Sequence, residues 1–95
     1  MPAVNFTVVW PDGDALTYYS PSTIVLEHFV EGKNYSLSDF ESRSHSALQA
    51  ASERVRAKFG YACTAAAAEQ EKIAAKIAAL KQQGVTGNVQ LTHLG

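Results

Sequence analysis

The chain has little of what would mark it for a special compartment or a familiar chemistry. It carries one cysteine, Cys63, in 95 residues. A single thiol cannot close an internal bridge, so a disulfide framework is excluded. No apolar run approaches the roughly 20 residues that cross a bilayer. No N-terminal stretch combines a charged start, an apolar centre and a small-residue cleavage site. A cytoplasmic location is therefore expected, with no membrane partner. Neither sign of charge dominates: eight basic residues face nine acidic ones, for a net charge of −1. Nucleic-acid binders carry a clear basic excess, so this balance counts against that class. Arg54, Arg56 and Lys58 are close in sequence. On a helix, however, Arg56 falls about 200° from Arg54, and the three do not form one patch. Solvated charges and a pair such as Glu53 with Arg56 are the simpler use.

What is present points to one small domain. The hydrophobic fraction of 46% is ordinary for a globular protein and argues against disorder. Ninety-five residues support one core and leave no room for two. The organising stretch is Ser36 to Leu80, which reads as two helices joined by Phe59-Gly60-Tyr61-Ala62-Cys63. Ser36 is a good N-cap, with Asp39 three residues on as the acidic variant of a capping box. Leu37, Phe40, Ser44, Leu48, Ala51, Val55 and Phe59 recur in steps of three and four. That is the period of a helix burying one stripe. Gly60 suits the left-handed position that ends many helices. The second helix is predicted from Thr64 to about Gln82, on the strength of its alanines. Ala66, Ile73, Ile77 and Leu80 form its core stripe, with Gln70 the polar exception. Ala75, Ala78 and Ala79 leave a small, flat flank, open to a neighbouring helix or simply good helix sequence.

Val4, Phe6, Val8 and Trp10 alternate with Asn5, Thr7 and Val9. This is a half-buried strand. Pro11-Asp12-Gly13 predicts a tight turn with a bulge, and Asp14 to Tyr19 a returning strand. Ser20-Pro21-Ser22 opens a short helix over Ser22 to Phe29, weakened by the β-branched Thr23, Ile24 and Val25. A third strand is the alternative there. Glu31-Gly32-Lys33-Asn34 reads as a turn, with Gly32 ending the short helix. The expected fold is α+β: an N-terminal antiparallel hairpin packed on a short helix and a long helix pair. Residues 1–84 are read as the domain. Residues 85–95 are read as a tail that adds an edge strand through Val89 and Leu91, or frays.

Chemistry is sparse. Cys63 precedes a helix N-terminus, where the dipole can lower a thiol pKa; a small hydrophobe buried in the core is the stronger reading. His28, His45 and His93 match no metal-ligand spacing with it or with one another, so no metal or cofactor is expected. There is no glycine-rich phosphate loop. Asp12, Asp14, Glu27 and Glu31 are turn and helix-end carboxylates rather than an acid/base pair. Trp10, Tyr18, Tyr19, Tyr35 and Tyr61 form either a sticky surface or the edges of the core.

Three runs carry a family likeness: Val9-Trp10-Pro11-Asp12-Gly13, Tyr19-Ser20-Pro21-Ser22, and Ala51-Ser52-Glu53-Arg54-Val55-Arg56-Ala57-Lys58-Phe59-Gly60-Tyr61-Ala62-Cys63. Over residues 1 to 80 the chain resembles a small bacterial family, the nitrogen starvation response proteins. The tail from Gly84 departs from the family pattern. The resemblance implies a gene cluster shared with a nitrilase, a radical-SAM protein, an acetyltransferase, a synthetase-like protein and a flavoprotein, tied to nitrogen limitation and nitrile use. It assigns no catalytic residue. The resulting expectation is a non-enzymatic accessory protein that contacts products of that cluster and self-associates through its helix pair or a sheet edge. A candidate functional surface comprises Arg54, Arg56, Lys58, Tyr61 and Cys63. The alternative is a small enzyme or ligand-binding protein using Cys63 with the nearby arginines.

Overall fold

The computed structural model describes residues 3–60 and 64–95. Strand β1 (Val4–Val9) and strand β2 (Ala15–Ser20) form the hairpin. A 3-10 helix follows over Thr23–Glu27, then strand β3 (Asn34–Ser36). Helices α1 (Leu37–Phe59) and α2 (Thr64–Gln82) precede strand β4 (Asn88–Leu94). The four strands form one antiparallel sheet in the order β2-β1-β4-β3. The α+β reading of the sequence thus holds.

The hairpin closes as the turn residues dictate. Trp10 N–H donates to Asp14 O at 2.8 Å, and Gly13 N–H to Trp10 O at 2.9 Å. Gly13 takes φ +94°, which a glycine adopts without a Cβ penalty. The β-branched run shortens the expected helix to the 3-10 segment. Ser22 caps it by accepting from Ile24 N–H, and His28 rather than Gly32 ends it.

Two strands differ from expectation. The C-terminal segment is not at an edge: β4 lies between β1 and β3. Its Val89 and Leu91 are fully buried, as an interior strand requires. Opposite Thr7 and Val8 the register slips by one residue of β4. The bulge leaves Thr92 and His93 exposed and turns Leu94 back toward the core. Residues 34–36, read as turn and N-cap, are a short strand paired to β4. Ser36 serves both elements, since its hydroxyl also accepts from Asp39 N–H at 3.1 Å to cap α1. Half of the expected capping box forms. The Asp39 carboxylate instead takes Arg43 Nε at 3.0–3.1 Å.

Both helices lie on one face of the sheet. Trp10 meets Phe40 edge-on at 5.2 Å, and Phe29 sits between Phe6, Tyr35 and Phe40. This aromatic group joins Leu48 of α1 and Ile73, Ile77 and Leu80 of α2 in one core. The α1 stripe runs as its periodicity predicts through Val55. Phe59 leaves it and is 48% exposed. Gly60 ends α1 at φ +79°, donating its N–H to Arg56 O at 2.7 Å.

Candidate functional site

The basic residues singled out from the sequence do not converge on one point. Arg54 points back to the 3-10 helix, with Nη2 3.9 Å from Glu27 Oε2. The expected Glu53–Arg56 pair is not among the ion pairs of the described residues. Arg56 is exposed. Lys58 Nζ lies 5.9 Å from the centre of the Phe59 ring. Tyr61 and Cys63 lie outside the described residues. Of the aromatics, Trp10, Tyr18 and Tyr35 are core residues, whereas Tyr19 is exposed.

A groove of about 440 Å³ opens between α1 and α2, lined by Ser38, Glu41, Ser42, His45, Ser46 and Gln70 among others. Helical spacing places Ser38, Ser42 and Ser46 in one row. Gln70 is explained here: its Nε2 donates to His45 O at 3.1 Å, tying the two helices together. Among the described residues no hydrogen bond joins a groove serine to the His45 ring. The groove therefore has hydroxyl groups but no nucleophile already paired to a base.

A second polar centre lies where α2 meets the hairpin turn. Lys76 Nζ reaches Asp12 Oδ2 at 2.7 Å and Asp14 Oδ2 at 2.6 Å. The hydrogen bond from Lys76 holds the Asp12 carboxyl below its ordinary pKa, and the two carboxylates raise that of Lys76. Beside it, Trp10 Nε1, the Tyr18 hydroxyl and Glu69 Oε2 are buried with no hydrogen-bond partner among the described residues. Burial pushes the Tyr18 hydroxyl pKa up; Trp10 and Lys76 oppose the shift and Glu69 adds to it. The sequence signal for this clamp was two aspartates flanking Gly13. Nothing in it pointed to a lysine more than sixty residues away. Among the described residues, no three histidine, cysteine, aspartate or glutamate side chains converge as a metal ion requires. No described helix is long and apolar enough to cross a membrane.

The third feature is the sheet face turned away from the helices. It presents Asn5, Thr7 and Val9 from β1, Ala15, Thr17 and Tyr19 from β2, and Asn88 and Gln90 from β4. None of these carries a formal charge, but the register also sets the exposed His93 opposite Thr7, with its Nδ1 3.7 Å from Glu31 Oε1. The Thr7 and Thr17 hydroxyls hydrogen-bond across the strands at 2.9 Å. At one margin of this face, β2 has no further strand beside it among the described residues.

No curated protein and no solved structure matches the chain. A family model described as nitrogen starvation-induced protein NitG matches residues 5–94. The match runs through β4, so the C-terminal segment shares the family pattern rather than departing from it. With nearly its whole length covered, the chain belongs to the NitG family of nitrogen starvation-induced proteins.

Proposed function

We propose that the chain is a non-catalytic accessory protein acting in the cytoplasm through protein contacts, beside the enzymes of a nitrile-linked gene cluster. The observation that carries this reading is the charge-poor open face of the sheet. Surfaces that form the centre of a protein interface are depleted in charge, because desolvating an unpaired ion is costly. Eight residues from three strands meet that condition here; beside them stand His93, opposite Thr7, and its partner Glu31. Thr and Tyr on an open sheet face offer apolar area together with hydroxyl groups, which suits a partner surface better than a small molecule. Family membership supplies the physiological setting of nitrogen starvation.

The test is affinity capture from nitrogen-starved cells, using the wild-type chain and a Thr7→Lys variant that places a charge in the middle of the face. The wild-type chain is expected to recover one or more cluster enzymes, and Thr7→Lys to lose them. Capture that recovers no cluster protein overturns the partner assignment. Equal capture by the variant moves the contact away from this face.

A further inference from the structure

We infer that the free edge of β2 is a self-association surface, at which two copies of the chain pair antiparallel about Thr17. The phase of the hairpin decides which backbone groups are free. Trp10 N–H donates to Asp14 O, so Trp10 and Asp14 are a hydrogen-bonded pair. Hydrogen-bonded and non-hydrogen-bonded pairs alternate along an antiparallel ladder. In the observed register, Leu16, Tyr18 and Ser20 therefore bond to Val8, Phe6 and Val4. Ala15, Thr17 and Tyr19 turn their N–H and C=O groups outward, away from β1. The Thr7–Thr17 hydroxyl contact fits this phase, since non-hydrogen-bonded pairs bring their side chains closest.

An outward row of donors and acceptors fits another β-strand. The strand's own sequence selects a second copy. A two-fold axis at Thr17 sets Thr17 opposite Thr17 and Ala15 opposite Tyr19 in both directions. Every outward N–H then meets an outward C=O, and a small side chain faces a large one at each flank. Leu16, 38% exposed, and Tyr19, 36% exposed, are two of the five exposed large apolar residues among those described. Both lie on this strand. The segment Ala-Leu-Thr-Tyr-Tyr-Ser holds no charge and no proline, the usual devices that keep a sheet edge unpaired. The opposite edge, β3, is three residues long and follows Lys33. The axis brings no like charges together, because Asp14 of each copy falls opposite Ser20 and is held by its own Lys76. Pairing would merge two open faces into one surface on an eight-stranded sheet.

Sedimentation equilibrium on the full chain over a concentration series tests this. The wild-type chain is expected to form a concentration-dependent dimer. Thr17→Lys and Thr17→Glu each set like charges across the axis and should weaken it by about tenfold or more. Mixed in equal amounts, the two variants should associate again, because only pairing of position 17 with itself places Lys against Glu. Asn34→Lys on the β3 edge should dimerise like the wild type. A wild-type chain that stays monomeric at every concentration overturns the inference. So does failure of the mixture to associate when both variants keep the wild-type far-UV circular dichroism. The outcome is separable from the proposed function. A monomer that still captures cluster enzymes defeats only the dimer, and a dimer that captures none defeats only the accessory role.

Discussion

Along β1, Val4, Phe6, Val8 and Trp10 are each no more than 5% exposed, while Asn5, Thr7 and Val9 between them face away from the helices. The strand and the residue after it thus give four side chains to the core on one side and none on the other. The covered face also receives Val89 and Leu91 from β4 and Phe40, Leu48 and Ile77 from the helices. The open face receives no packing element among the described residues. The difference teaches where change is tolerated. Folding energy is concentrated on one side, so the other side and its free edge are available for contacts at little cost to stability.

The largest expected effect comes from removing residues 85–95. If β4 were an edge or a frayed tail, the rest of the domain would survive. With β4 between β1 and β3, truncation after Gly84 strips β1 of one partner and β3 of its only observed one. The truncated chain should lose cooperative thermal unfolding altogether. Next is Phe40→Ala on the covered face, which leaves a cavity beneath Trp10 and Phe29. A loss of about 3–5 kcal/mol is expected in urea denaturation, a large share of a small domain's stability. Ser36→Ala removes the hydroxyl that caps α1 and should cost about 1 kcal/mol. Thr7→Ala, on the open face, should stay within about 0.5 kcal/mol of the wild type. A Thr7 cost rivalling that of Phe40 would break the distinction between the faces.

The smallest effect concerns the Lys76 clamp and shows itself in pH dependence. The Asp12 pKa is lowered in the folded chain, so its contribution is complete above the ordinary carboxylate pKa and is lost as pH falls through the lowered value. The Lys76 pKa is raised, so its contribution is complete below the ordinary lysine pKa and is lost as pH rises through the raised value. Lys76→Met should therefore flatten the plot of Tm against pH at both extremes and leave a plateau around neutrality. Raised salt should narrow the gap between variant and wild type, because these charges are close to solvent. An unchanged pH profile would show that the clamp does not contribute to stability.

Much of the covered face was legible in the sequence. Alternation in β1 and the three-and-four spacing in α1 and α2 are local patterns, and each reports the side that will be buried. The placement of β4 was not legible in this way. Val89 and Leu91 announce a strand, but whether it lies at an edge or in the middle depends on β3, which is three residues long. Asn34-Tyr35-Ser36 resembles a turn leading into a cap because Ser36 is in fact both strand end and cap. Phe59 matched the helical stripe yet is exposed, since the core has ended by the last turn of α1. Of the candidate surface, the sequence named charges that could cluster. The structure sends Arg54 to Glu27 and Lys58 toward Phe59. The open face escaped notice because it is assembled from residues of three separate strands.

Residue-resolved amide hydrogen exchange on β2, at low and high protein concentration, reads both sides of this comparison in one strand. Leu16, Tyr18 and Ser20, bonded to β1, should be protected at both concentrations. Ala15, Thr17 and Tyr19 should exchange rapidly when dilute and gain protection when concentrated. Unchanged rapid exchange of those three at high concentration would contradict the pairing of β2 with a second copy. Their protection in dilute solution would contradict the free edge itself.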